Sequence, residues 1–103
     1  MALTKKKMYA GTLATGSATL YTAPAAGAMV KEVVATNKTA VAVNVTIVIA
    51  GVSVLTGYTL DVAGTKDATV ILALSTVINS GDLITGLASA GSSVDCIISG
   101  VEG

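Results

Sequence analysis

The chain has 103 residues, which is one domain by length, and its six lysines balance six acidic residues to give a net charge of zero. There is no arginine, so the chain has neither the basic excess nor the bidentate side chain that favours nucleic-acid binding. There is also no histidine, which removes the commonest general base and most zinc sites. We therefore expect no enzyme, no metal or other cofactor, and no nucleic-acid partner.

The apolar 52% of the chain consists almost entirely of Val, Ala, Ile and Leu, with no Phe or Trp and three tyrosines. β-Branched residues suit a pleated sheet and are stiff in a helix, so the composition favours strands. A core built from small aliphatic side chains stabilises a domain of this length only weakly. We therefore expect that other subunits cover part of the aliphatic surface and that the protein is a homo-oligomer.

Residues 1–7 are predicted to be a flexible basic N-terminal arm, and residues 8–103 a single β-domain. The charge of the arm comes from Lys5, Lys6 and Lys7. Such a cluster either docks on an acidic partner surface, with a strength that falls as salt rises, or remains solvated as termini commonly do. Glycine and threonine interrupt the following segment, so we expect neither a secretion signal nor a membrane anchor.

The rest of the chain predicts about eight strands. The clearest pattern runs from Val41 to Ile49, where every second residue is apolar, as in a strand with one face in the core. Adjacent Val33 and Val34 break the alternation of an earlier strand and predict a bulge somewhere within it. The spacing of strands and turns is typical of an antiparallel β-sandwich, jelly-roll-like in its strand count. In chain order, the expected strands span 8–13, 18–23, 29–37, 41–50, 52–60, 68–74, 83–88 and 94–101.

Four side chains are candidates for a particular role. The single cysteine, Cys96, is interpreted as a small buried residue of a strand, because its neighbours offer no electropositive setting that would activate a thiol. Tyr9 and Tyr21 are either core residues with hydroxyls at the edge or anchors of a subunit interface, and the sequence leaves both open. Val48 lies on the weakly polar face of its strand, where another subunit is expected to cover it.

Several segments resemble a pattern common in small virion proteins of tailed bacteriophages. The pattern comprises an LYT-P turn, a strand ending in Asn, an alternating strand, and a "GD-I … SGVE" close, and the likeness covers most of residues 8–103. The segments that carry it are 20–24 (LYTAP), 30–37 (VKEVVATN), 40–45 (AVAVNV), 81–84 (GDLI) and 98–102 (ISGVE).

The resemblance implies a structural virion protein: a capsid decoration protein or head-fibre subunit or, alternatively, a tail or baseplate adaptor or a fibre-base module. Such proteins are commonly symmetric homo-oligomers, often trimers. The implied partners are therefore further copies of the chain and the major capsid protein or other virion proteins, with assembly in the bacterial host cytoplasm and no membrane partner. A carbohydrate-binding β-sandwich is the alternative from another class, for which three tyrosines are available as sugar platforms.

Overall fold

The computed structural model describes residues 4–102, which form two four-stranded antiparallel sheets packed face to face. The first sheet has the strand order β1-β8-β3-β6 and the second has the order β2-β7-β4-β5. The strands are β1 Thr4–Thr12, β2 Ala18–Thr22, β3 Ala28–Asn37, β4 Val43–Ile49, β5 Val52–Leu60, β6 Thr69–Ile78, β7 Leu83–Ala88 and β8 Val94–Glu102, with one 3-10 turn at Lys66–Ala68. The predicted antiparallel β-sandwich is confirmed.

The chain passes from one sheet to the other at every connection except the β4–β5 hairpin. Together with the two sheet orders, this connectivity is that of a jelly roll, in which two Greek keys are wrapped around one core. Ala50 and Gly51, both with positive φ, make the hairpin a two-residue loop whose twist suits the flanking strands. Among residues 4–102 there is no helix with the length and hydrophobicity to cross a membrane.

The core is aliphatic and follows the period-two pattern of the sequence. In β4, the four alternate residues from Val43 to Ile49 are buried, which confirms the predicted alternation for these four, whereas Val41 precedes the strand and is exposed. In β8, Val94, Cys96 and Ile98 are buried in the same way from the opposite sheet. Each fully buried side chain of this size contributes about 1.5–3 kcal/mol to folding.

The interrupted alternation in β3 is a bulge, as the sequence predicted, and the structure gives its position. Val30 and Val33 both face the core, and the two residues between them, Lys31 and Glu32, are exposed. The register of β3 shifts against both neighbouring strands between Val30 and Glu32. The extra residue turns the strand so that Val33 returns to the core and Val34 faces outward.

β8 has a glycine at the level of this bulge because its neighbours approach too closely for a side chain. Gly100 pairs with Lys6 of β1 and Val30 of β3. A Cβ atom at this position would overlap the carbonyl oxygen of Met29 and the side chain of Met8. Because the overlap is with the backbone carbonyl oxygen of Met29, no change of side-chain rotamer can relieve it.

Two strand boundaries in the first sheet differ from the sequence prediction by four residues. β1 begins at Thr4, so Lys5, Lys6 and Lys7 lie in a strand paired with β8, and the prediction of a flexible arm is wrong for them. Residues 1–3 of that arm lie outside the described residues. Lysines are well tolerated on an edge strand, where their side chains reach water while the backbone completes the sheet.

The second difference concerns β6, which continues to Ile78 rather than ending at Leu74. Ser75 and Thr76 continue the alternation of the strand, with Ser75 outward and Thr76 inward. Antiparallel pairing with β3 therefore carries the strand four residues further.

The crossovers at one end of the sandwich are held by Asn37, the last residue of β3. Its side chain is fully buried, and its amide nitrogen donates to the carbonyl oxygens of Val41, at 2.8 Å, and Asp61, at 2.9 Å. Its amide oxygen accepts from the backbone nitrogen and the hydroxyl of Thr39. One side chain thereby fixes the start of the β3–β4 crossover and the start of the β5–β6 crossover.

Candidate functional site

The outward faces of the two sheets differ in how their apolar residues are arranged. On the outward face of the second sheet, Val48, Leu87 and Leu83 are each flanked across the strands by a hydroxyl-bearing side chain, so these three form no apolar row. Thr85 and Ser53 flank Val48, Thr46 lies beside Leu87, and Thr22 lies beside Leu83.

On the first sheet, the register places apolar residues side by side across three strands. Ile71 and Val77 are each 63% exposed and Ile97 is 48% exposed, although all three lie in regular strands. Contiguous exposed apolar surface is characteristic of interaction sites, whereas scattered apolar residues are ordinary. The two apolar rows are Ile97–Val34–Ile71 and Val101–Met29–Val77, each running across β8, β3 and β6.

One end of this face is polar and electrically balanced. The Thr12 hydroxyl donates to Asp95 at 2.8 Å, and the Lys38 ammonium lies 3.1 Å from the same carboxylate. The hydrogen bond from Thr12, and then that from Lys38, lowers the pKa of Asp95 below its usual value. Beside them, the hydroxyls of Thr36 and Thr69 share a hydrogen bond of 3.0 Å.

The other end is basic. Lys5, Lys6 and Lys7 of β1 and Lys31 of the β3 bulge surround a shallow depression, which we call the basic depression. Its remaining lining comes from β8, with Ile97, Ser99, Gly100 and Val101. Four of the six lysines of the chain are thus gathered on a protein of zero net charge. Among the described residues the one ion pair within 4 Å is that of Lys38, so these four lysines remain available to an acidic partner.

An apolar groove adjoins the second row where β3 begins and β6 ends. Met29, Val77 and Val101 contribute to its walls together with the chain from Ala26 to Ala28. Its volume is about 200 Å³, below the roughly 300–1,000 Å³ of typical small-molecule pockets. Among residues 4–102, no three Asp, Glu or Cys side chains converge into a group that could hold a metal ion. The two apolar rows, by contrast, are contiguous exposed surface of the kind that contacts other macromolecules.

Of the predicted site residues, the three lysines lie together at the basic depression, whereas the two tyrosines and Val48 do not line it. Tyr9 is half-buried against the core, and its hydroxyl donates to the carbonyl oxygen of Thr12 at 3.1 Å. Tyr21 is buried in the core of its own chain and offers little surface to a subunit interface. Val48 is half-buried on the outward face of the second sheet, on the opposite side of the sandwich from the lysines.

Cys96 is buried on the inward face of β8, which confirms its interpretation as a small core residue. Burial raises the pKa of its thiol to about 11. The thiolate, which is the reactive form, is therefore scarce at neutral pH.

Sequence reasoning did not find the two apolar rows. The outward positions of Ile71, Val77 and Ile97 follow from strand alternation alone. Their alignment depends on the sheet order, which brings β8, β3 and β6 together from distant parts of the chain. Period-two patterns give the face of a residue and not its cross-strand neighbour.

No protein-family model matches the chain, and no curated protein sequence matches it.

Proposed function

We propose that the chain is a structural protein of a tailed-bacteriophage virion, a capsid decoration or head accessory protein that acts through repeated protein–protein contacts. The observation that carries the proposal is the outward face of the first sheet, where two apolar rows adjoin the basic depression. Apolar area supplies affinity, and four lysines select an acidic partner and accelerate encounter with it. Such a face suits docking on a large protein shell.

Two further features support this role. The segments that resemble phage virion proteins cover most of the chain, and the jelly roll is an architecture common among capsid proteins. A decoration protein also gains from repetition, because many modest contacts on one particle add up to strong retention. Zero net charge lets copies lie close together without mutual repulsion.

A carbohydrate-binding role is the second candidate. Tyr58 favours it, because this aromatic ring is 46% exposed on the edge strand β5, away from the lysines. Exposed aromatic rings stack on the apolar faces of sugars. Glycan-array binding that is lost in Tyr58→Ala, with particle binding absent, would favour this candidate over the first.

The experiment that tests the virion role uses particles of the encoding phage produced with this gene inactivated. Purified protein is mixed with these particles and sedimented, and we expect saturable binding that weakens as salt rises. Electron microscopy with a labelled protein then separates attachment to the head from attachment to the tail. Absence of binding at low salt would contradict the proposal.

A further inference from the structure

The four edge strands of the sandwich are protected to different degrees against pairing with another chain. β1 carries three consecutive lysines, and β2 is only five residues long and is closely followed by Pro24. β5 contains Gly57 at positive φ and two register shifts against β4. Charges, shortness, proline and irregularity are the usual means of blocking an edge.

β6 is the least protected of the four, and its one irregularity is a register shift against β3 between Ala73 and Thr76. It runs for ten residues, Thr69–Ile78, contains no charged residue and no proline, and is paired on one side only, with β3. Its exposed and less exposed residues alternate without interruption from Thr69 to Val77. The free side of β6 therefore offers backbone donors and acceptors to an incoming strand, with one irregularity at Leu74 and Ser75.

The side chains of β6 also identify which strand fits that edge. Ile71 and Val77 are the two most exposed apolar residues of the strand, and each lies three residues from Leu74. In an antiparallel pair of identical strands centred on Leu74, Ile71 of each copy lies opposite Val77 of the other. Apolar β-branched pairs directly opposite each other stabilise antiparallel sheets.

We infer that β6 pairs in antiparallel fashion with β6 of a second copy of this chain, about a two-fold axis at Leu74. The pair places Ile71 of each copy against Val77 of the other, which partly covers both side chains, and satisfies both free edges. It also joins the row Ile97–Val34–Ile71 of one copy to the row Val77–Met29–Val101 of the other across a continuous sheet of eight strands.

This arrangement closes on itself. The two outer edges of the joined sheet are the β1 strands, whose lysines oppose the addition of a third copy. A two-fold contact of this kind is isologous and gives a dimer instead of a fibre. The inference does not depend on the virion role, and it differs from the three-fold symmetry that the sequence resemblance implies.

Molar mass in solution, measured across a concentration series, tests the inference with four variants of the full chain. The wild-type protein is expected to be dimeric at high concentration, and Ile71→Lys and Val77→Glu are each expected to give monomers, because each puts an unpaired charge opposite an apolar residue. The double variant I71K/V77E places opposite charges across the two-fold axis and is expected to recover the dimer. Val52→Lys, a matched change at a position 66% exposed on the other sheet, is expected to leave the dimer intact.

Recovery in the double variant is specific to the register, since positions 71 and 77 are six residues apart in one extended strand and cannot pair within a chain. Circular dichroism and thermal melting establish that each variant is folded. A wild-type monomer at every concentration, or an oligomer unaffected by Ile71→Lys, would overturn the inference. Dissociation by Ile71→Lys without recovery in the double variant would overturn the two-fold register.

Discussion

Tyr21 and Glu102 are 81 residues apart in the chain and are joined by a hydrogen bond from the tyrosine hydroxyl to the glutamate carboxylate. Tyr21 belongs to β2 of the second sheet and Glu102 ends β8 of the first, so the bond links the sheets at the end opposite Asn37. Burial, followed by the hydrogen bond and charge of Glu102, raises the pKa of Tyr21 to about 12. The fold thus holds the phenol in its protonated form.

Removing the hydroxyl with Tyr21→Phe should lower the free energy of unfolding at pH 8 by about 1.5–3 kcal/mol, the range for a hydrogen bond to a charged acceptor. The folded-state pKa of Tyr21 is raised, so its contribution to stability is complete below the unfolded value of about 10. That contribution is lost as pH rises towards about 12. Urea unfolding of both proteins at pH 8 and pH 11 checks this. An equal difference at the two pH values would contradict it.

Replacing Asn37 with alanine should destabilise the fold by about 2–3 kcal/mol, because it removes a fully buried amide whose part-buried hydrogen bonds hold both crossovers. The matched control is Asn44→Ala in the next strand, where an exposed side chain accepts a single bond of 2.9 Å from Thr59. We expect that change to cost at most about 0.5 kcal/mol. Similar denaturant midpoints for Asn37→Ala and Asn44→Ala would contradict the claim that the Asn37 side chain holds both crossovers.

Gly100→Ala should destabilise the protein by about 1–3 kcal/mol or more, as overpacking does, because the added methyl group meets the backbone of β3. Gly16→Ala is the control, since no atom lies within 4 Å of the added Cβ. The measurement is the thermal unfolding midpoint of each variant, which should fall for Gly100→Ala and stay near the wild-type value for Gly16→Ala. Similar midpoints for the two variants would show that β8 and β3 are farther apart at the bulge than described.

Strand alternation is a local property, so the sequence predicted the approximate positions of the strands, although the strongest pattern, over 41–50, gives a strand only at Val43–Ile49. β5 and β7 begin and end where expected, and β8 differs by one residue at its end. The error at Lys5–Lys7 arose because a run of charge suggests a solvated terminus, whereas the partner that holds it, β8, is more than 90 residues away in sequence. Sheet order, and with it the alignment of Ile71 with Val34 and Ile97, depends on such distant pairings.

The segments that resemble phage virion proteins contain residues that hold this fold together. Tyr21 of the LYT-P segment bonds Glu102 of the SGVE segment, and Asn37 at the end of its strand fixes two crossovers. In the GD-I segment, Asp82 accepts a hydrogen bond from the backbone nitrogen of Asn79 in the turn before β7. The sequence presented these residues as motif positions, and their contacts became apparent only from the fold.

The central claim is that the basic depression and its apolar rows dock on a particle, and single charge reversals test it most directly. Lys31→Glu changes the depression, and Lys66→Glu makes the same change in the exposed 3-10 turn at the other end of the sandwich. The measurement is the occupancy of both variants on particles that lack the native protein, at low and high salt. We predict that Lys31→Glu lowers occupancy severalfold at low salt, that Lys66→Glu matches the wild type, and that the difference shrinks at high salt. Equal occupancy of the two variants at low salt would contradict the account.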